Sequence, residues 1–429
     1  MPQPGPPEPR ILWLTDEFPP EFGGTGAMAY QLSQGLAQQG LSVEVITRQI
    51  VPPAAKQEYF GKVLVKRIAP AGRLKGLGWR AVPLLLGYLV RLVALLVERS
   101  RQFDVVIVSG MKIIPLAAIP VCRILGKKCI VRIESPFEIR EPVSSESMTA
   151  MNSAMARGLM QVLSRLQSAV LRRAQTVIAI SAEIETLLAG NPRIRSRVTK
   201  IPNTADLSRF KPLDEAAKAG LRRDLGISPD RTVLVNVGRI TRSKGMATLI
   251  RAWPAIVARH PEVLLVIVGS GKGYWDDCED EVLECIRANH LEDHVLLVGQ
   301  SDRAHEYFQA ADLFVTPSEY EGFALTLIEA LGCGIPALTT SVGEAPQIIH
   351  EGSNGFLCTP KSQTDLCAKI EIALEQRASW SEMGRRARES VLEFDVPRVS
   401  ARYAILCRDL LARQPLGPLP AKKTGSARP

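Results

Sequence analysis

Short apolar runs alternate with helical repeats along most of the chain. Residues 11–14 form the first run, followed by a Gly-rich turn at Gly23, Gly24 and Gly26, and then by Met28, Leu32 and Leu36 spaced one helical turn apart. Gly40 closes that helix, and residues 43–46 form the next run, giving a strand, loop, helix and strand unit. Further Val/Ile-rich runs at 105–108, 129–133 and 176–180 read as strands buried on both faces, and Ser181 is a suitable helix cap. This alternation predicts a doubly wound α/β domain ending near residues 201–203. A second unit opens at 232–237 with a strand, the turn G-R-I-T-R-S-K-G, and a helix carrying Met246, Leu249, Ile250 and Trp253 on one face. Strands are expected at 263–268, 313–315 and 336–340, and late helices near 365–374, 380–392 and 399–411.

Composition agrees with two units. The 429 residues exceed one ordinary domain, and 46% hydrophobic content is enough for two cores of about 200 residues each. The Pro-rich start has no apolar signal segment, and the eight cysteines show no C-x-x-C pairing, so a reduced cytoplasmic protein is expected. A net charge of +9 suits nucleic acid, an acidic substrate or an anionic membrane. No helix-turn-helix, zinc finger or aromatic-basic RNA-binding strand is present, so nucleic acid is set aside. All five histidines (His260, His290, His294, His305, His350) lie in the second half without metal-ligand spacing.

Residues 81–97 are almost continuously apolar apart from Arg91, and are flanked by Lys62, Lys66, Arg67, Arg73, Lys75, Arg80, Arg99 and Arg101. The run is shorter than the roughly 20 residues of a membrane span. It fits either a packed helix or a segment lying on an anionic bilayer.

The chemistry centres on residues 317–336, where Glu321 and Glu329 stand eight apart between an apolar strand and a helix rich in strong formers. A helix N-terminus favours a phosphate, and a carboxylate two turns in can accept hydrogen bonds from a polyol, which together describe a nucleotide. Arg239 and Lys244 bracket the turn after the 232–237 strand, where they can clamp a diphosphate. The glycines at 23–26 do not form G-x-G-x-x-G, and G-S-G-K-G at 269–273 fits neither a dinucleotide fingerprint nor a P-loop.

Taken in order, P-P-E-F-G-G-T-G, I-P-N-T-A-D-L-S-R-F, V-G-R-I-T-R-S-K-G, A-A-D-L-F-V-T-P-S, the E-x7-E segment and N-G-F-L resemble the retaining nucleotide-sugar glycosyltransferases of family four, group 1, over about residues 11–411. The resemblance implies the GT-B fold: α/β, with two facing Rossmann-like doubly wound domains and a central cleft. It implies a tail at 1–10, an acceptor domain at 11–208, a donor domain at 209–395, a helix at 396–413 returning to the first domain, and a basic tail at 414–429. Arg239 and Lys244 would hold the donor diphosphate, Glu329 the ribose, and Glu321 the transferred sugar. Gly23 and Gly24 would approach from the other domain, and Gly238, Gly322, Phe323, Ala324 and Leu325 would complete the donor site. Front-face substitution, with the leaving diphosphate helping to deprotonate the acceptor, would need neither metal nor cofactor.

The implied partners are a nucleoside diphosphate sugar, a glycan or lipid-linked acceptor, and an anionic membrane surface, with the inner membrane face as an alternative to free cytoplasm. A catalytically silent nucleotide-sugar-binding relative or scaffold, or a nucleotide-sugar epimerase, remain alternatives. Three departures from the family pattern stand out. Many members have a histidine after the strand corresponding to 129–133, where this chain has Glu134 and Ser135. Glu134 is either a sugar-facing carboxylate with a catalytic role or the ion-pair partner of Arg132 or Arg140. Ala324 replaces a glycine, a mild change, and Glu344 and Gln347 stand where a glycine and a carboxylate are common.

Overall fold

The computed structural model describes residues 8–20, 23–48, 55–69, 81–110, 113–140, 165–167, 169–191, 194 and 197–412. Arg73, Lys75 and Arg80, and the expected C-terminal tail, lie outside the described residues. In the first half the strands are β1 (Arg10–Leu14), β2 (Ser42–Arg48), β3 (Gln57–Phe60), β4 (Val63–Ile68), β5 (Val105–Ser109), β6 (Lys128–Ile133), β7 (Thr176–Ala179) and β8 (Val198–Lys200). Helices α1 (Gly24–Gln38), α2 (Ala81–Glu98), α3 (Ile114–Ile124), α4 (Phe137–Arg140) and α5 (Ala182–Ala189) connect them. The second half has β9 (Thr232–Val237), β10 (Val263–Val268), β11 (Val295–Gly299), β12 (Leu313–Thr316), β13 (Ala337–Thr340) and β14 (Gly355–Cys358). Its helices are α6 (Glu215–Asp224), α7 (Met246–Arg259), α8 (Glu279–Ala288), α9 (Ala304–Ala310), α10 (Leu325–Gly332), α11 (Ala345–Ile348), α12 (Gln363–Glu375), α13 (Trp380–Ser390) and α14 (Val396–Ala412).

The strands form two sheets, ordered β3-β4-β2-β1-β5-β6-β7-β8 and β11-β10-β9-β12-β13-β14. All neighbours are parallel except β3 and β4. Central strands such as β5, V-V-I-V-S, are buried throughout because helices cover both faces of a parallel sheet. In each half the order reverses beside the first strand, which makes the C-terminal edges of β1 and β9 the natural ligand positions.

The chain crosses between the halves twice, and the crossings run side by side. The Ala205 amide and the Thr204 hydroxyl both donate to the Phe394 carbonyl, at 3.0 and 2.6 Å, and the Leu207 amide donates to Asp395 Oδ1 at 3.2 Å. After the second crossing α14 packs on α1, where a Cβ added at Gly35 would stand 2.7 Å from Val396 Cγ1. Tyr403 of α14 is buried with its ring 6.0 Å from that of Trp13 in β1.

The β3–β4 hairpin is an element the sequence reading passed over. It also changes the picture of the basic flank around α2. Lys66 pairs with Glu44 at 3.3 Å, Arg99 with the same carboxylate at 2.5 Å, and Arg67 is buried against Glu58. These three cations are therefore spent inside the fold. Tyr88, Leu92 and Leu96 of α2 are buried, while Leu84, Leu86, Val90 and Val97 face out, Val90 with 68% exposure. Among the described residues no helix is long and apolar enough to cross a membrane.

Helix α10 starts in an unusual way. Its N-cap, Ala324, has φ 58° and ψ 73°, in the left-handed region that glycine enters freely and L-residues avoid. The glycine-to-alanine difference is thus not mild for the backbone. Replacing Ala324 by Gly should change stability by less than about 1 kcal/mol, because relief of roughly 1–2 kcal/mol of strain is offset by lost methyl burial and by glycine's unfolded-state entropy. Ala324→Val, β-branched at positive φ, should cost about 2–3 kcal/mol. Thermal unfolding of both variants tests this, and an undisturbed Val variant would contradict the backbone reading.

Candidate active site between the two sheets

The loop between β12 and α10 is pressed against the turn between β9 and α7. Gly245 closes a short 3-10 turn, Arg242–Lys244, at φ 72°. A Cβ there would lie 2.0 Å from the Pro317 carbonyl oxygen, so only glycine permits this approach. The Glu319 amide donates to the Ser243 carbonyl at 3.0 Å across the same contact. As a result Lys244 meets the carboxylate segment: its Nζ lies 2.5 Å from Glu321 Oε1, which also accepts from Ser318 Oγ at 2.7 Å. Buried Ser318 is fixed in turn by Thr340, whose hydroxyl donates to its carbonyl at 2.6 Å.

Arg239 follows Gly238 at the end of β9, with its guanidinium carbon 4.7 Å from the centre of the Tyr274 ring. Asp276 stands nearby. Burial pushes its carboxyl up, but hydrogen bonds from Ser243 and the Arg239 charge outweigh that and hold it below the usual range. The N-cap of α10, Ala324, stands three residues after Glu321, and of the first-turn amides of this helix that of Leu327 bonds the Ala324 carbonyl at 3.1 Å. The Phe323 ring itself is buried, edge-on to Phe394 at 5.7 Å, so that residue can offer only its backbone.

The N-terminal half closes the other side. Gly23 is the N-cap of α1, and a Cβ on Gly24 would sit 3.6 Å from Leu325 Cδ1. A Cβ on Gly322 would sit 2.2 Å from the Glu134 carbonyl oxygen, so the two loops touch at a position that excludes any side chain. The Glu134 carboxylate takes a bond from Arg132 Nη1 at 2.5 Å on Oε1 and from Thr25 Oγ1 at 2.5 Å on Oε2. The ion pair with Arg132 is therefore formed, and Thr25 holds the same carboxylate at the Gly-rich turn.

Glu329 stands apart from this group, on the second turn of α10. Burial pushes its carboxyl up to about 8, and the charge of Arg209 only partly opposes that. Glu344, singled out as a departure in the sequence, crosses between the halves. It is 3% exposed, pairs with Lys200, and accepts from the Ala182 amide at the start of α5 at 2.6 Å. Cavities of about 270 and 360 Å³ flank this contact, both lined in part by Gln347. Sequence reasoning missed Thr25, Ser318 and Tyr274. Ser318 sits in the quoted P-S-E stretch, but Thr25 and Tyr274 gain meaning only from partners distant in sequence. Among the described residues no group of three or more His, Cys, Asp or Glu side chains is placed to hold a metal ion.

Comparison with known proteins bears on the family and the fold. The sequence profile described as Glycosyltransferase Family 4 matches residues 22–209, and that described as Glycosyl transferases group 1 matches residues 218–390. The N-acetyl-alpha-D-glucosaminyl L-malate synthase of Bacillus anthracis is 24% identical over 91% of this chain and 95% of its own length. The fold superposes on sucrose-phosphate synthase of Thermosynechococcus elongatus with a TM-score of 0.76 at 23% identity, covering 94% of this chain and 99% of that one. Anabaena HepE, solved in complex with UDP-glucose, gives 0.71 at 19% identity, covering 94% and 99%. With two doubly wound sheets meeting at loops that carry the family motifs, the chain belongs to the group 1 glycosyltransferases of family four and has their GT-B fold.

Proposed function

We propose that this glycosyltransferase moves a hexose-type sugar from a nucleoside diphosphate sugar to a glycan or lipid-linked acceptor, with retention of anomeric configuration. The observation that carries this reading is the contact of Lys244 with Glu321 just before the α10 N-terminus, with Arg239 at the end of the neighbouring β9 and Gly24 and Glu134 of the other half pressed against Leu325 and Gly322. Two cations and a helix N-terminus make a diphosphate site. The presence of UDP-glucose in the Anabaena structure supports a nucleotide-sugar donor.

The Lys244–Glu321 ion pair suggests how binding proceeds. An arriving diphosphate draws Lys244 away, and the released Glu321 carboxylate then accepts hydroxyls of the sugar. Charge developing on the leaving diphosphate is met by Arg239, Lys244 and the backbone amides, which are already oriented and need little reorganisation. The acceptor attacks from the leaving-group face, and its proton passes to the departing phosphate oxygen, so no enzymic nucleophile or divalent ion is required. Glu329 accepts the ribose hydroxyls.

A second reading concerns location. The exposed face of α2, with Leu84, Leu86, Val90 and Val97 and the neighbouring exposed Arg91, fits an anionic bilayer surface. It would bring a lipid-linked acceptor to the N-terminal half.

The roles predict a division of labour. Lys244→Ala and Glu329→Ala should each weaken binding of the cognate nucleoside diphosphate by about tenfold or more. Glu321→Ala should leave that affinity intact or raise it, since it removes a competitor for Lys244, while transfer falls by roughly 100-fold. Calorimetry and turnover against a panel of nucleotide sugars measure both, and equal loss of affinity in all three variants would contradict the assignment. Glu329 adds a pH signature. Its folded value lies above the ordinary carboxyl range, so the stability it contributes is present below that range and lost as pH rises through about 8. Glu329→Gln, always neutral, should therefore gain in melting temperature on the unaltered chain between pH 6 and pH 9; a constant difference would argue against the raised carboxyl. For the α2 face, the unaltered chain should sediment with anionic vesicles at low salt and L86E/V90E should not. Failure of the unaltered chain to sediment removes the membrane reading.

A further inference from the structure

Arg132 lies in β6, between β5 and β7, with its side chain only 1% exposed. A buried guanidinium is costly unless its donors are met, and the groups that meet these donors show what the residue serves. Nη1 donates to Glu134 Oε1 at 2.5 Å, and Nη2 donates to Asn203 Oδ1. Nε has no hydrogen-bond partner, and the Tyr403 hydroxyl of α14 lies beside the group outside hydrogen-bond geometry. Neither bonded partner belongs to the core. Glu134 stands at the cleft edge of β6, and Asn203 belongs to the first crossing between the halves, one residue before Thr204 and its bond to Phe394 of the second crossing.

The carboxylate between these anchors is held at both oxygens, by Arg132 on one side and Thr25 of the Gly-rich turn on the other. Each carboxylate oxygen can accept a further bond, so this clamping orients Glu134 without exhausting it. Its backbone carbonyl rests against Gly322, one residue from Glu321, so the clamped group sits where the two halves meet. A buried ion pair serving the sheet alone could be replaced as a whole by apolar side chains of similar volume at little cost. Here the buried charge reaches outward, to one cleft residue and one crossing residue.

We propose that Arg132 is a positioning residue for transfer: it fixes the Glu134 carboxylate beside the transferred sugar, and through Asn203 ties that placement to the crossing that sets how the halves approach. This rests on the glycosyl-transfer reading above. The Glu134 carboxylate it holds is bonded by Arg132 and Thr25, whereas Lys244 is held by Glu321, so Arg132 acts on the reacting end of the donor and leaves the diphosphate end alone.

The test uses the full chain and whichever nucleotide sugar it turns over. R132M should lower kcat by about 10- to 100-fold, the scale of a small misplacement at a reacting centre, with nucleoside diphosphate affinity within about twofold of the unaltered chain. R132K keeps the charge but lacks the fork, reaches Glu134 or Asn203 but not both, and should fall between the two. R132M/E134A leaves no carboxylate stranded, which keeps the test available should R132M alone fail to fold. Its kcat should equal that of E134A, because the arginine acts through Glu134. A folded R132M or R132K with unchanged kcat, or R132M/E134A well below E134A, would overturn the inference while the transfer reading stands. Failure of the unaltered chain to turn over any nucleotide sugar would overturn both.

Discussion

Parallel strands covered by helices on both faces leave no room for chemistry except at their ends, and the organisation of this protein follows from that constraint. Strands such as β5 and β9 must be largely apolar, so most polar groups that could act on a substrate are displaced into the turns at their C-terminal edges, with Arg132 of β6 and Asn236 of β9 as buried exceptions. Two such sheets brought edge to edge supply two half-sites. The first offers glycines and Glu134, the second offers cations, a helix N-terminus and Glu321. On the proposed function neither half would be sufficient alone, so the paired crossings at Thr204–Ala205 and Phe394–Asp395 would matter to the chemistry as well as to the connectivity.

The same constraint explains what could be read from the sequence. Apolar runs bounded by Gly and Pro marked the central strands to within a residue or two, because a strand buried on both faces cannot disguise its composition. The peripheral hairpin β3–β4 was harder to see, since only three of its ten positions are buried and its Lys66 and Arg67 look like surface cations. Only the fold shows that Glu44 and Glu58 neutralise them. Within the candidate site, the structure brings Lys244 and Glu321 together, and the positions of Glu321, Lys244 and Arg239 in strand-to-helix turns were legible. Thr25 was not, because its partner Glu134 is 109 residues away and nothing local requires the contact. The left-handed backbone of Ala324 was also hidden: alanine is among the best helix formers, and the positive φ follows from how the loop meets α10.

Glu329 and Ala324 show that the second half carries local costs. A carboxyl pushed up to about 8 and an alanine at positive φ both work against stability, and both lie in the segment 321–329. Such costs persist only when the surroundings fix them, and here a hydrophobic core does so: Leu327, Ile328, Ala330 and Leu331 of the same short helix are fully buried. The polar positions of α10 are therefore held in place by the apolar positions between them.

Glu344 extends this reasoning to the contact between halves. In the family pattern a glycine is common at this position and a carboxylate three residues later; here the carboxylate occupies the earlier position and Gln347 the later one. The exchange places a negative charge at the start of α5, where the unpaired amides of a helix N-terminus favour it, and against Lys200 at the end of β8. At 3% exposure the charge depends on those two partners, both of which belong to the other half. Moving the halves apart would strip Glu344 of a cation and a helix terminus at once, although water could then solvate it. Its net effect on closure is the difference between those two terms, and the approach of the halves is therefore sensitive to a side chain that touches neither the diphosphate cations nor Glu134.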